Sequence, residues 1–164
     1  MNAQSKRMAT LLAIVAGWLT SARTFGQDSP SDEAMKLARK LTGEGAASFS
    51  KQDAKVMAAY YTEDAIVFFQ SKSDEGHSVK EYDGRAEIER LYADLFKEPK
   101  TIQPKNTVEY AKLLAPDLLV IAGTFEPDQL ATKPMKVPFY QVRVKQGEKW
   151  LIHSLRIFVL PGKG

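Results

Sequence analysis

The apolar residues change period along the chain, and the change divides it into a helical part and a stranded part. Ala34, Leu37, Ala38, Leu41, Gly45 and Phe49 recur at spacings of three and four, as do Ile88, Leu91, Tyr92, Leu95 and Phe96 at spacings of three and one. From Thr107 the runs become strand-like: Thr107–Leu114, Leu118–Glu126, Met135–Lys145 and Trp150–Leu160, separated by turns at Pro116-Asp117, Pro127-Asp128 and Gln146-Gly147. Side chains repeat every 3.6 residues on a helix and every two on a strand, so the two patterns must build different layers. The order predicts an α+β domain in which three early helices pack on one face of a curved antiparallel sheet.

Local signals place the other elements. Ser29-Pro30 reads as a helix cap followed by proline in the first turn. Asp53 is a cap for a short second helix whose stripe is Val56, Met57, Tyr60 and Tyr61. Thr62-Glu63-Asp64 breaks that helix, and Ala65–Phe69 is a strand by its β-branched and aromatic content. Gln70–Tyr82 is polar and reads as a loop with a short strand near its end. Asp83-Gly84 opens the third helix.

Residues 1–26 are predicted to be a cleavable signal peptide. Lys6 and Arg7 precede an apolar run, Met8–Thr20, that is shorter than the roughly 20 residues a membrane-spanning helix needs. Cleavage is expected after Ala22 or Gly26, with Gly26 favoured because Gln27-Asp28 opens a polar stretch. The product, residues 27–164, is expected to be one periplasmic or secreted domain with no membrane attachment. Of 23 basic and 20 acidic residues the leader takes Lys6, Arg7 and Arg23 and no acid, leaving 20 of each. A formally neutral chain gives no electrostatic case for nucleic acid. With no cysteine there is no thiol catalysis, disulfide or cysteine metal site, and two isolated histidines offer no metal-ligand spacing.

Four landmarks stand in order along the chain: Phe49-Ser50-Lys51-Gln52-Asp53, Tyr61-Thr62-Glu63-Asp64-Ala65, Asp83-Gly84-Arg85-Ala86-Glu87-Ile88 with Tyr92, and Gly147-Glu148-Lys149-Trp150-Leu151-Ile152. Through them the chain, from about Ala34 to Phe158, resembles the nuclear-transport-factor-2-like superfamily, in its SnoaL-like branch of many exported bacterial domains of unknown function. The resemblance implies a cone, a bent sheet wrapped around the helices with a pocket between them. In the ketosteroid isomerase of that superfamily, the general-base aspartate would fall on Phe69, the oxyanion-hole tyrosine on Gly45 and the protonated aspartate near Tyr140. A phenyl ring moves no proton and glycine has no donor side chain, so that activity is not expected.

The expected occupant is a small apolar or amphipathic molecule, without a cofactor or metal. The candidate lining is Tyr60, Phe69, Tyr92, Phe96, Tyr140, Arg143 and Arg156. Strand alternation puts Phe139, Gln141 and Arg143 on one face opposite Tyr140, Val142 and Val144. It also puts Ile152, Ser154, Arg156 and Phe158 opposite Leu151, His153, Leu155 and Ile157. Arg156 then either faces solvent at an edge or is met by a carboxylate. His153 is either a general base, with Tyr140 as acid in a dehydratase, isomerase or cyclase, or a packed strand histidine. A third reading is a homodimer through the outer sheet face.

Overall fold

The computed structural model describes residues 31–73, 76–128 and 135–159; the expected signal segment, its expected cleavage points and Ser29-Pro30 lie outside them. Helix α1 (Asp32–Phe49) is capped by Ser31, whose hydroxyl accepts from the Ala34 amide at 3.2 Å. Its buried row, Ala34, Ala38, Thr42 and Ala46, is spaced by four and made of small residues, so the helix can lie close to the sheet. Asp53 caps α2 (Ala54–Ala58), accepting from the Val56 amide at 3.0 Å. Helix α3 (Arg85–Leu95) buries Ile88 and Tyr92.

The strands are β1 (Tyr61–Ser73), β2 (Gly76–Asp83), β3 (Lys105–Ala115), β4 (Leu118–Glu126), β5 (Val137–Gln146) and β6 (Lys149–Val159). They form a six-stranded sheet in the order β2-β1-β6-β5-β4-β3. The expected antiparallel sheet is therefore mixed, because β1 runs parallel to β6. Every other neighbouring pair is antiparallel. The sheet is curved and unclosed, with the helices against its inner face, as the α+β reading required.

Two differences from the sequence reading have physical causes. The polar stretch Gln70–Tyr82 is a hairpin rather than a loop, with Phe69 opposite Lys80 and Ser71 opposite Ser78. All of β2 except Tyr82 is exposed, so its backbone pairs without any apolar alternation to announce it. Strand β1 also starts four residues earlier than expected, at Tyr61, and is irregular up to Ile66. Arg85 braces that irregular part: its Nε donates to the Tyr61 carbonyl at 3.0 Å and its guanidinium pairs with Glu63. Gly84, at φ 82°, brings its amide to the Ala65 carbonyl at 2.8 Å.

Candidate functional site

Between α1, α3 and the concave sheet lies a cavity of about 310 Å³. Rings form much of its wall. Phe49, which ends α1, meets Phe125 at 5.1 Å and Phe96 at 5.2 Å between centroids, both edge to face, and Tyr92 at 6.4 Å. Phe69, Tyr60, Phe139, Leu91 and Val67 add to the apolar lining. Leu95 and Met135 line it while remaining 56% exposed, which marks the mouth.

The polar groups collect against β5. Arg143 is 2% exposed. Its Nε donates to Oε1 of Gln141 at 3.0 Å, and Nη1 has no hydrogen-bond partner among the described residues. Burial pushes the guanidinium down to about 10, partly offset by Tyr61, Glu44, Tyr60 and Tyr92, so it is a cation at neutral pH. The Tyr61 and Tyr92 hydroxyls share a hydrogen bond at 2.8 Å. Burial raises Tyr61 well above the ordinary phenol value, helped by Tyr92, and burial likewise raises Tyr92. The Tyr60 hydroxyl is bonded to that of Ser48 at 2.8 Å. Among the described lining residues there is no carboxylate or imidazole.

Of the residues singled out in the sequence, Tyr60, Phe69, Tyr92 and Arg143 line the cavity together. Phe96 does not; it stacks on Tyr92 at 5.7 Å and braces the wall from behind. Tyr140 does not either: it is 40% exposed, because alternation along β5 cannot turn it inward with Phe139, Gln141 and Arg143. Arg156 and His153 fall outside the wall because of a bulge, which leaves the solvent-facing alternative for Arg156. Val142 pairs with Ser154 but Arg143 pairs with Ile152, so β6 skips His153 there. The skip puts Ile152, Leu155, Ile157 and Val159 on the cavity side. Arg156 is left outside, its guanidinium 4.4 Å above the Phe68 ring.

His153 is exposed, with Nδ1 3.2 Å from the Thr62 hydroxyl and 3.6 Å from Asp64. Asp64, the acid beside His153, lies on β1. The Thr62 hydroxyl first, and Asp64's own backbone amide next, hold the Asp64 carboxyl below its ordinary value. His153 and Tyr140 both lie outside the cavity wall, so the acid–base pair suggested for a dehydratase, isomerase or cyclase does not converge there. Among the described residues no group of three or more His, Cys, Asp or Glu is placed to hold a metal ion, and no helix is long and apolar enough to cross a membrane. Thr42, Tyr61, Asn106 and Gln141 are polar wall residues outside the candidate lining. Tyr61 lay in a helical stripe by spacing, and its partner is 31 residues away on another element.

The tyrosine pair makes an expected titration. Of the six tyrosines, Tyr61 and Tyr92 should stay protonated when exposed phenols ionise, and should ionise only as the fold opens. Both folded values are raised, so their contribution to stability is full below pH 10 and is lost as pH rises above it. Ultraviolet difference absorbance followed beside circular dichroism checks this; all six tyrosines titrating together in the folded protein would contradict it.

A curved, unclosed mixed sheet wrapped around three helices, with a pocket between the layers, defines a cone-shaped α+β domain. The chain has the nuclear-transport-factor-2-like fold. A nuclear-transport-factor-2-like protein of unknown function from Shewanella oneidensis is similar at a TM-score of 0.62 and 14% identity, over 76% of this chain and 98% of that one. One of the same description from Pseudomonas putida gives 0.59 and 14%, over 79% and 89%. A ketosteroid isomerase-like protein from Erwinia carotovora atroseptica gives 0.55 and 13%, over 78% and 97%. No family model matches the chain, and no curated protein does.

Proposed function

We propose that this chain is an exported SnoaL-like pocket domain, periplasmic or secreted, that binds a small and largely apolar molecule without ketosteroid isomerase chemistry. The observation that carries the reading is the cavity of about 310 Å³, walled by rings and aliphatic side chains and holding a few convergent polar groups. Small-molecule sites have this character and begin at about this volume. Export rests on the leader pattern in residues 1–26. Phe69 and Gly45, where the isomerase would place its base and its donor, both line the cavity and supply neither.

Gly45 provides the test. A β-carbon built there meets nothing within 4 Å, so a longer side chain starts in open space. Gly45→Leu should stabilise the protein by about 1 kcal/mol or more, from helix propensity and apolar filling. It should also abolish binding of a neutral apolar probe such as octanol. Ligand bound to the folded state raises the melting temperature, so thermal shift reads both effects. An equal octanol shift in Gly45→Leu and the wild type would place binding elsewhere and sink the reading.

A further inference from the structure

A buried cation is costly unless acceptors or an opposite charge meet it. Arg143 is met only in part. Gln141 occupies Nε, Nη1 is left without a partner among the described residues, and Glu44, whose charge acts on Arg143, is not a lining residue. Close by is a second donor. Two hydroxyls joined by one hydrogen bond use one of their two protons, so the Tyr61–Tyr92 pair keeps an unshared O–H. The charge of Arg143 acts on both of these tyrosines, and all three residues line the same cavity.

Resting on the pocket reading above, we propose that the ligand is an apolar monocarboxylate. Its head accepts from the Arg143 guanidinium and from the unshared hydroxyl proton of the Tyr61–Tyr92 pair, while its hydrocarbon body runs past Phe139 and Leu91 to the mouth at Leu95 and Met135. One cation matches a head with one negative charge, and the guanidinium and the tyrosine hydroxyl offer a donor to each of its two oxygens. A phosphate monoester would bring more negative charge than one guanidinium neutralises. A neutral alcohol would leave the guanidinium unpaired, and an ammonium would face a like charge. Both phenols, raised by burial from a value already above neutrality, are protonated at neutral pH, so the hydroxyl arm is a donor.

Isothermal titration of the purified protein with octanoate, octanol and octylammonium separates these cases. Octanoate is expected to bind about 10- to 100-fold tighter than octanol, the size of a hydrogen bond to a charged group. Octylammonium should not bind. Arg143→Met should remove the preference for octanoate over octanol, and Tyr61→Phe should narrow that ratio. If Arg143→Met does not fold, the wild-type ratio decides the matter, together with its disappearance when the acid is protonated at low pH. Equal affinities for octanoate and octanol would overturn the carboxylate and leave the pocket standing. Failure of all three ligands to bind would overturn both.

Discussion

Alanine at position 123 should destabilise the protein by about 3 kcal/mol or more, at the upper end of what overpacking costs. A β-carbon on Gly123 would lie 2.2 Å from the Thr107 carbonyl oxygen, and 3.1 Å both from that carbonyl's carbon and from Cζ of Phe139. A flexible side chain could swing aside from such a contact. Here the nearest atom is backbone, held in the ladder by the neighbouring pair Thr107–Thr124. The closeness has a purpose in the architecture. Val108 pairs with Gly123 but Tyr110 pairs with Ala122, so β3 bulges at Glu109 and bends over β4 just where β4 has no side chain. The bend carries Asn106 to α1, where its Nδ2 donates to the Thr42 carbonyl at 2.8 Å. Displacing β3 would therefore loosen the helix that roofs the cavity. Glycine inside a strand otherwise weakens it, which makes this position one where the weakness is offset by geometry. Urea denaturation checks the expectation; a Gly123→Ala variant within 1 kcal/mol of the wild type would show that β3 yields cheaply.

How far such features could be read beforehand depends on whether their cause is local. Helices α1 and α3 and the extent of β4 follow from spacing and turn residues, because the amphipathic period is written into contiguous sequence. The cap at Asp53 is equally local. Strand β2 was missed because no layer covers it, so nothing apolar alternates. The parallel pairing of β1 with β6 joins residues some 90 positions apart, such as Tyr61 and Ile152, and no window contains both. In the site, Arg143 was legible because β5 keeps a strict period of two through Phe139, Gln141 and Arg143. Arg156 and His153 were not, since a bulge of one residue exchanges the faces of everything on one side of it. That single skip breaks up the expected shared face of Ile152, Ser154, Arg156 and Phe158 and puts Ile152, Leu155, Ile157 and Val159 on the cavity.

Removing the buried polar pair should make the ligand-free protein more stable. Gln141 and Arg143 are 8% and 2% exposed, joined to each other and set among apolar neighbours, with Leu119 fully buried directly across from Arg143. Replacing Arg143 alone leaves Oε1 of Gln141 buried without its donor, a cost of about 1–3 kcal/mol that would mask any gain. Gln141→Leu together with Arg143→Met avoids that orphan and exchanges both polar groups for apolar ones of similar size. Exchanges of this kind at buried ionic groups are neutral or stabilising by about 1–4 kcal/mol, and the expectation here is at the stabilising end because Nη1 has no partner among the described residues. The pH dependence has a definite sign. The guanidinium is held down to about 10 in the folded state against an ordinary 12.5, so the unfolded chain binds its proton more tightly. The penalty is thus full below pH 10 and fades as pH rises from there, and the advantage of the double variant should shrink over the same range. Urea denaturation without ligand, at neutral pH and above pH 10, measures both parts. A double variant less stable than the wild type at neutral pH would make Arg143 a strut of the scaffold. A more stable one would mean that the fold carries this cation at a cost, and a cost borne inside the cavity is accounted for by what the cavity binds.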